Sequence, residues 1–347
     1  MLSYKKNYMK FITLVVAGTI TTTSFGATLT QKAIEAGLAP IPANKSAILK
    51  LVEDIKNPIT DAKIELGKKL YFDPRLSKSS LISCNTCHNL GAGGADGLST
   101  AIGHKWKANP HHLNSPTVYN SVFNAVQSWN GRNPDLEDQA QGPIQAGTVM
   151  AAPKGLVVQR ITSIPAYVNE FKNAYGNNVK VDFKKIAETI GVFERTLITP
   201  SRFDEFLLGK DESLTQAEKE GLTTFIDMGC AKCHTGIGIG GTMQAFQITG
   251  KYKFSDVGDF KGDANGMVKT PILRNIEETA PYFHNGKVWS LKEAIKIMGS
   301  VQLGIKIEDK DATSIEMFLK SLTGEKPQII YPILPPSTSS TIRPNPL

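Results

Sequence analysis

The chain has 347 residues, 41% of them hydrophobic and 20% charged, which is enough to bury two cores. Its formal charge of +7 at pH 7 is spread thinly, and no block of like charge is long enough to make a nucleic-acid arm. Beyond the N-terminus, no run approaches the ~20 apolar residues needed to span a bilayer.

In chain order, residues 1–26 come first. Lys5, Lys6 and Lys10 precede an apolar run from Phe11 to Ile20 and small residues around Ser24 and Gly26, the pattern of a secretory signal cut near Gly26. Cleavage there removes three lysines and no acid, taking the charge from +7 to +4. The expected mature protein is exported, soluble and mildly basic, a surface that permits an acidic partner without requiring one.

The segment 61–72, DAKIELGKKLYF, carries Ile64, Leu66, Leu70 and Tyr71 at helical spacing. A first CxxCH motif follows at Cys84, Cys87 and His88, then a loop rich in Gly, Asn and Pro. The segment 181–198 repeats Phe183, Ile186, Ile190, Phe193 and Leu197 as a helical stripe. A boundary between two domains is expected near Arg202. Beyond it, Thr215-x-x-Glu218 reads as a capping box, and Cys230, Cys233 and His234 repeat the CxxCH motif. Ser290-x-x-Glu293 caps a last helix whose stripe is Leu291, Ala294, Ile295 and Met298, with Gly299 as its stop. No run alternates as a strand. The Pro- and Ser-rich tail 331–347 is expected on the surface or without structure. The fold class is therefore mainly α: two cytochrome-c-like haem domains with long loops, spanning 27–201 and 202–330.

All four cysteines lie in the two CxxCH motifs, so none is left to staple distant parts of an exported chain. A redox dithiol would need a βαβ context, and no Val/Ile-rich run precedes either motif. A shared zinc tetrahedron would have to bridge the 146 residues between Cys84 and Cys230. Covalent c-type haem explains the spacing directly. Two thiols about one helical turn apart can add to the two vinyl groups of a porphyrin edge, and the adjacent histidine is then aimed at the iron. Each motif is expected to hold one haem, with His88 and His234 as proximal iron ligands.

The opposite ligand decides what each haem does: methionine favours electron transfer, whereas a displaceable group lets a small oxidant reach the iron. Near the first haem, His104 stands in a Gly-flanked loop, and His111 and His112 are the alternatives. For the second, Met243, Met267, Met298 and Met317 are open, while Met228 lies too close to Cys230 to cross the ring. Met298 fits a core position on its helix as well as it fits a ligand.

With these residues in hand, the chain resembles the bacterial dihaem cytochrome c peroxidases. The likeness is carried by LGKKLYFDPRLSKSSLISCNTCHNLGAGGADG, WNGR, LEDQAQGPI, CAKCHTG, KTPILRNIEETAPYFHNG and SLKEAIKIMGSVQLG, in the family's order. The resemblance implies a peroxidatic, low-potential first haem with His104 as its displaceable ligand, and a high-potential second haem bound by His234 and Met298. A methionine at 298, rather than a tyrosine, argues against the related enzymes that form tryptophan tryptophylquinone. It also implies that Trp129 assists electron passage between the haems, and that Asn114, Thr279 and Pro281 supply oxygen ligands to an interdomain calcium ion. Hydrogen peroxide as oxidant, a small cytochrome c or similar donor, a periplasmic location and a homodimer follow in the same way.

The sequence departs from the family's pattern at two carboxylates. Gln139 is present, but Val149 stands where the family has the glutamate that serves as acid–base group, and Asn130 stands where it usually has aspartate. Glu137 or Asp138 is the candidate substitute for that group if the loop differs. A second expectation therefore stands beside the first: a dihaem electron-transfer or redox-sensing protein with weak peroxidase activity or none.

Overall fold

The structure, a computed structural model, describes residues 27–245 and 263–346. The expected signal segment 1–26 lies outside them. The described residues form twelve α-helices of at most 12 residues, several 3₁₀ turns, and one two-stranded antiparallel ribbon that pairs Met243–Ala245 with Met267–Lys269. Each strand has three residues, too few for the alternation that reveals a strand in sequence.

Two helix pairs organise the molecule. In the first half, Asp61–Phe72 packs on Phe183–Glu194, bringing Leu66, Leu70 and Tyr71 together with Ile186, Ile190 and Phe193. The axes come close because Gly67 has no side chain; a β-carbon there would stand 2.3 Å from the carbonyl oxygen of Thr189. The second half repeats the device. Gln216–Asp227 crosses Asp309–Lys320 at Gly221, where a β-carbon would be 2.0 Å from the carbonyl oxygen of Ser314. Phe318 there meets Phe203 and Phe225, each with ring centroids 5.2 Å away.

The local signals set the helix starts. Thr60 caps the first helix by accepting from the backbone N–H of Lys63, and Thr215 and Glu218 form their capping box. Asp182 caps Phe183–Glu194, so this helix is shorter at both ends than the apolar stripe 181–198. Ser290 caps Leu291–Met298, and the chain then widens into a π-type turn, Gly299–Leu303.

The chain passes from the first core to the second between Leu197 and Phe203, and both of its described ends cross over. Helix Leu29–Glu35 sends Ala33 into the second core, together with Leu38 just beyond it, and the Gly236 N–H donates to the Gly37 carbonyl at 2.7 Å. At the other end, the tail lies along the first half. Buried Arg160 spends its five donors on the carbonyls of Arg75, Ser77, Lys78, Ile342 and Arg343, and Arg75 donates to the carbonyl of Pro335. The described part of the tail is thus a surface strap fixed through its backbone.

Polar side chains join the halves at the seam. Asn120 and Thr199 exchange two hydrogen bonds, at 2.7 and 2.9 Å. Asn275 donates to the Thr199 hydroxyl at 2.9 Å and accepts from the Gly324 N–H. Beneath them Arg274 and Asp204, both buried, form a two-pronged ion pair at 2.6 and 2.9 Å.

Candidate haem sites

The first motif occupies a four-residue helix, Cys84–Cys87. Its start is held by the Ser83 N–H donating to the Thr86 hydroxyl at 3.0 Å, and its end by the His88 N–H donating to the Cys84 carbonyl. Tyr71, from the first core helix, donates its hydroxyl to the His88 carbonyl at 2.6 Å. The His88 ring is set by a 2.9 Å contact between Nδ1 and the carbonyl oxygen of Pro116. A carbonyl can only accept, so Nδ1 carries the proton and Nε2 keeps its lone pair for a metal.

The second motif is wound more tightly, as the 3₁₀ turn Cys230–Lys232, yet it reaches the same arrangement. The His234 N–H donates to the Cys230 carbonyl, and Nδ1 lies 3.2 Å from the carbonyl oxygen of Ile239. Burial lowers the pKa of this imidazole to about 4, which keeps it in the neutral form that ligates iron.

The residues present fit haem better than the two alternatives. Burial pushes the Cys87 and Cys230 thiols up to about 11, and Cys84 higher still, the reverse of the activated thiolate that dithiol exchange needs. The motifs stand in separate helical shells around separate cores, so no single zinc ion draws on both. All four cysteines and both motif histidines are half-buried, leaving one edge of each motif open.

In the loop that follows the first motif, His104 is buried and its Nδ1 has no hydrogen-bond partner among the described residues. It begins the 3₁₀ turn His104–Trp106, where Lys105 and Trp106 adopt left-handed backbone conformations with φ of 62° and 54°. Such conformations are uncommon for non-glycine residues and mark a loop held by its surroundings. The loop runs close to the motif, with the carbonyl oxygen of Ile102 3.9 Å from Cys87 Sγ. His111 and His112, the alternatives in sequence, are exposed.

Gly103 lies against the backbone of Thr148, which puts Val149 beside the His104 loop. Val149 is half-buried on the first core. Gln139 sits in helix Leu136–Gln145 with its side chain outside any hydrogen bond among the described residues. The nearby carboxylates are engaged elsewhere. Glu137 packs on Gly191 and lies 3.4 Å from Arg195 Nε, while Asp138 accepts from Asn133 at 2.8 Å. Asn130 accepts from Arg132 at 3.2 Å.

The methionines separate by location. Met228 packs on the second core, Met243 lies against Gly131, Met267 belongs to the ribbon and Met317 is 38% exposed. Met298 is half-buried, ends its helix at the π-type turn, and stands outside the hydrophobic clusters.

Trp129 stands at the seam between the halves. Its Nε1–H donates to the Asn114 carbonyl at 3.0 Å, and its ring meets His284 edge-on with centroids 6.4 Å apart. The Asn114 N–H donates to the His284 carbonyl at 2.7 Å. Thr279 and Pro281 lie on the same incoming segment, whose Glu278 carbonyl packs on Gly93. Sequence reasoning named Trp129 and Asn114 but missed His284 and Tyr71. Tyr71 looked like an ordinary member of an apolar stripe, because nothing local reveals that its hydroxyl reaches the His88 carbonyl.

Two CxxCH sites, each with an oriented imidazole and its own helical shell, define a dihaem c-type cytochrome. The family description "Di-haem cytochrome c peroxidase" matches residues 61–212. The chain is 46% identical to the cytochrome c551 peroxidase of Pseudomonas aeruginosa over 301 residues, 83% of this chain and 86% of that one. It is 43% identical to the cytochrome c551 peroxidase of Nitrosomonas europaea, over 81% of this chain and 86% of the relative. Among solved structures it is similar to a MauG-like protein associated with microbial copper homeostasis, at 27% identity and a TM-score of 0.67, covering 78% of this chain and 92% of that one. The chain belongs to the dihaem cytochrome c peroxidase family.

Proposed function

We propose that the protein is a periplasmic peroxidase that converts hydrogen peroxide, two protons and two electrons into two molecules of water, with a small cytochrome c or similar redox protein as donor. The haem groups, when bound, supply one iron that delivers electrons to peroxide and one that receives them from the donor. The residues 27–201 and 202–330 form the two haem domains of this scheme.

The observation that carries the reading is an asymmetry between the two sites. The half that holds the first motif carries a buried histidine, His104, with an orphaned Nδ1 on a left-handed loop, and the half that holds the second carries a thioether, Met298, at a helix end. His88 and His234, with Nδ1 engaged by backbone carbonyls, would ligate the two irons through Nε2. His104 would be the displaceable ligand of the first iron, and its departure would open that site to peroxide. Met298 would supply a thioether to the second iron, a donor that raises a haem's potential. Trp129 bridges the gap between the halves, and Gln139 orients peroxide. Asn114, Thr279 and Pro281 offer oxygen donors to a calcium ion at the seam, where a hard cation would stiffen the junction. Two copies of the chain assemble as a homodimer.

A second reading is favoured by Val149, which can neither take nor give a proton. Loss of the sole acid–base group costs about 10²–10⁴ in rate. On that reading the protein is a dihaem electron carrier or redox sensor on a peroxidase scaffold.

Steady-state turnover with reduced cytochrome c and peroxide separates the two. Peroxidase function predicts measurable turnover that rises at least about tenfold in Val149→Glu. Electron exchange with the donor, without peroxide consumption in either protein, would leave only the second reading.

A further inference from the structure

Lys269 is a buried cation without an anion. It is 7% exposed, and its ammonium has no carboxylate partner or hydrogen bond among the described residues. Burial alone pushes its pKa down to about 8, with no neighbouring charge acting against the shift. Buried ammonium groups are costly unless paired, so a lysine held this way marks the place of a negative group.

Its position identifies that group. The Lys269 N–H donates to the Trp129 carbonyl at 3.2 Å, and its strand pairs with Met243. Two residues on, Pro271 turns its carbonyl toward the His234 ring and packs on Gly240, where a β-carbon would stand 2.3 Å from the carbonyl oxygen. The backbone at Lys269 therefore runs between the seam tryptophan and the loop that follows His234. A haem held by its vinyl edge carries two carboxylates, its propionates, on a different edge. We propose that Lys269 pairs with a propionate of the second haem, next to Trp129. This extends the dihaem reading and does not depend on peroxide turnover.

The pairing places a positive charge near one iron only. It offsets the propionate's negative charge, which otherwise disfavours adding an electron, and so raises that haem's potential. Lys269 is thus a positioning and tuning residue at the point where electrons leave the second haem for Trp129.

Spectroelectrochemical titration of the holoprotein, resolving the two haems, tests this in Lys269→Met, Lys269→Gln and Lys269→Arg. At an ambient potential equal to the parent's second-haem midpoint, the two neutral variants should show a ferrous-to-ferric ratio lowered about threefold or more at the second haem, with the first unchanged. Lys269→Arg should restore the parent ratio. Unchanged ratios in both neutral variants, with parent-like Soret bands, would overturn the pairing; a shift confined to the first haem would overturn its assignment to the second. Either result leaves the peroxidase assay unaffected.

Discussion

A β-carbon on Gly103 would stand 1.9 Å from the carbonyl oxygen of Thr148, so the loop bearing His104 rests directly on the backbone that leads to Val149. The two segments are therefore packed backbone against backbone. Gly103→Ala cannot be absorbed by a flexible side chain, because the obstacle is backbone. The expected outcome is a raised high-spin fraction at the first haem in the fully oxidised protein, seen in its optical and electron paramagnetic resonance spectra. In the parent, the same signature should appear on half-reduction, when His104 leaves. A first haem that stays low-spin in the half-reduced parent removes the gate from the mechanism.

Trp129 offers a second test. Its indole N–H satisfies the Asn114 carbonyl, and the Asn114 N–H in turn donates to the His284 carbonyl, so the ring is fixed at the seam by that bond and by its edge contact with His284. Trp129→Phe removes the donor and a large π-system together. Electron passage from the second haem to the first, followed by stopped-flow after rapid donor mixing, should slow by about tenfold, and stability should fall by about 1–3 kcal/mol through the unsatisfied carbonyl. An unchanged intramolecular rate would make Trp129 a structural residue only.

Glu194 gives a dependence on pH. It is buried in the first core with Oε2 unpartnered, and burial, reinforced by Glu137, raises its carboxyl to about 8 from a usual 4.5. Between these values the unfolded chain has lost a proton that the folded chain keeps, so this group makes stability fall as pH rises from about 4.5 to about 8. Glu194→Gln should lose less stability than the parent over that interval. Urea midpoints of the two holoproteins at pH 5 and pH 8 measure it, and parallel losses would show that Glu194 does not hold the proton.

The pair Asp204 and Arg274 should behave as a unit. Asp204 also accepts from the Ile41 and Ser201 N–H groups, both at 2.7 Å, so its removal strands a buried guanidinium and two backbone donors. Asp204→Ala should cost about 3–5 kcal/mol in chemical denaturation. The double variant Asp204→Leu with Arg274→Met should cost less than that, because no uncompensated charge remains. A double variant as unstable as the sum of the singles would contradict this.

What could be read from the sequence was local. Thr215 and Ser290 announce their helices because a cap acts within three residues, and CxxCH carries its chemistry within five. What could not be read depends on contacts made far along the chain. Arg160 gathers carbonyls from 82 to 183 residues away, and Ile41 finds its acceptor 163 residues on. Glu137 lies two residues before Gln139 in sequence, yet helix packing turns it toward Arg195 and Gly191. Lys269 looks like one surface lysine among many until the fold buries it.

The crossing of the two described ends ties the halves in a way that a cut near Arg202 would undo. A fragment ending there would carry away Ala33 and Leu38, which complete the wall of the other half, while the remainder would keep the strap that covers Arg160. Neither piece would be whole. The two haem sites are clasped as reciprocal hostages, and their mutual orientation is inherited from chain connectivity as much as from the seam.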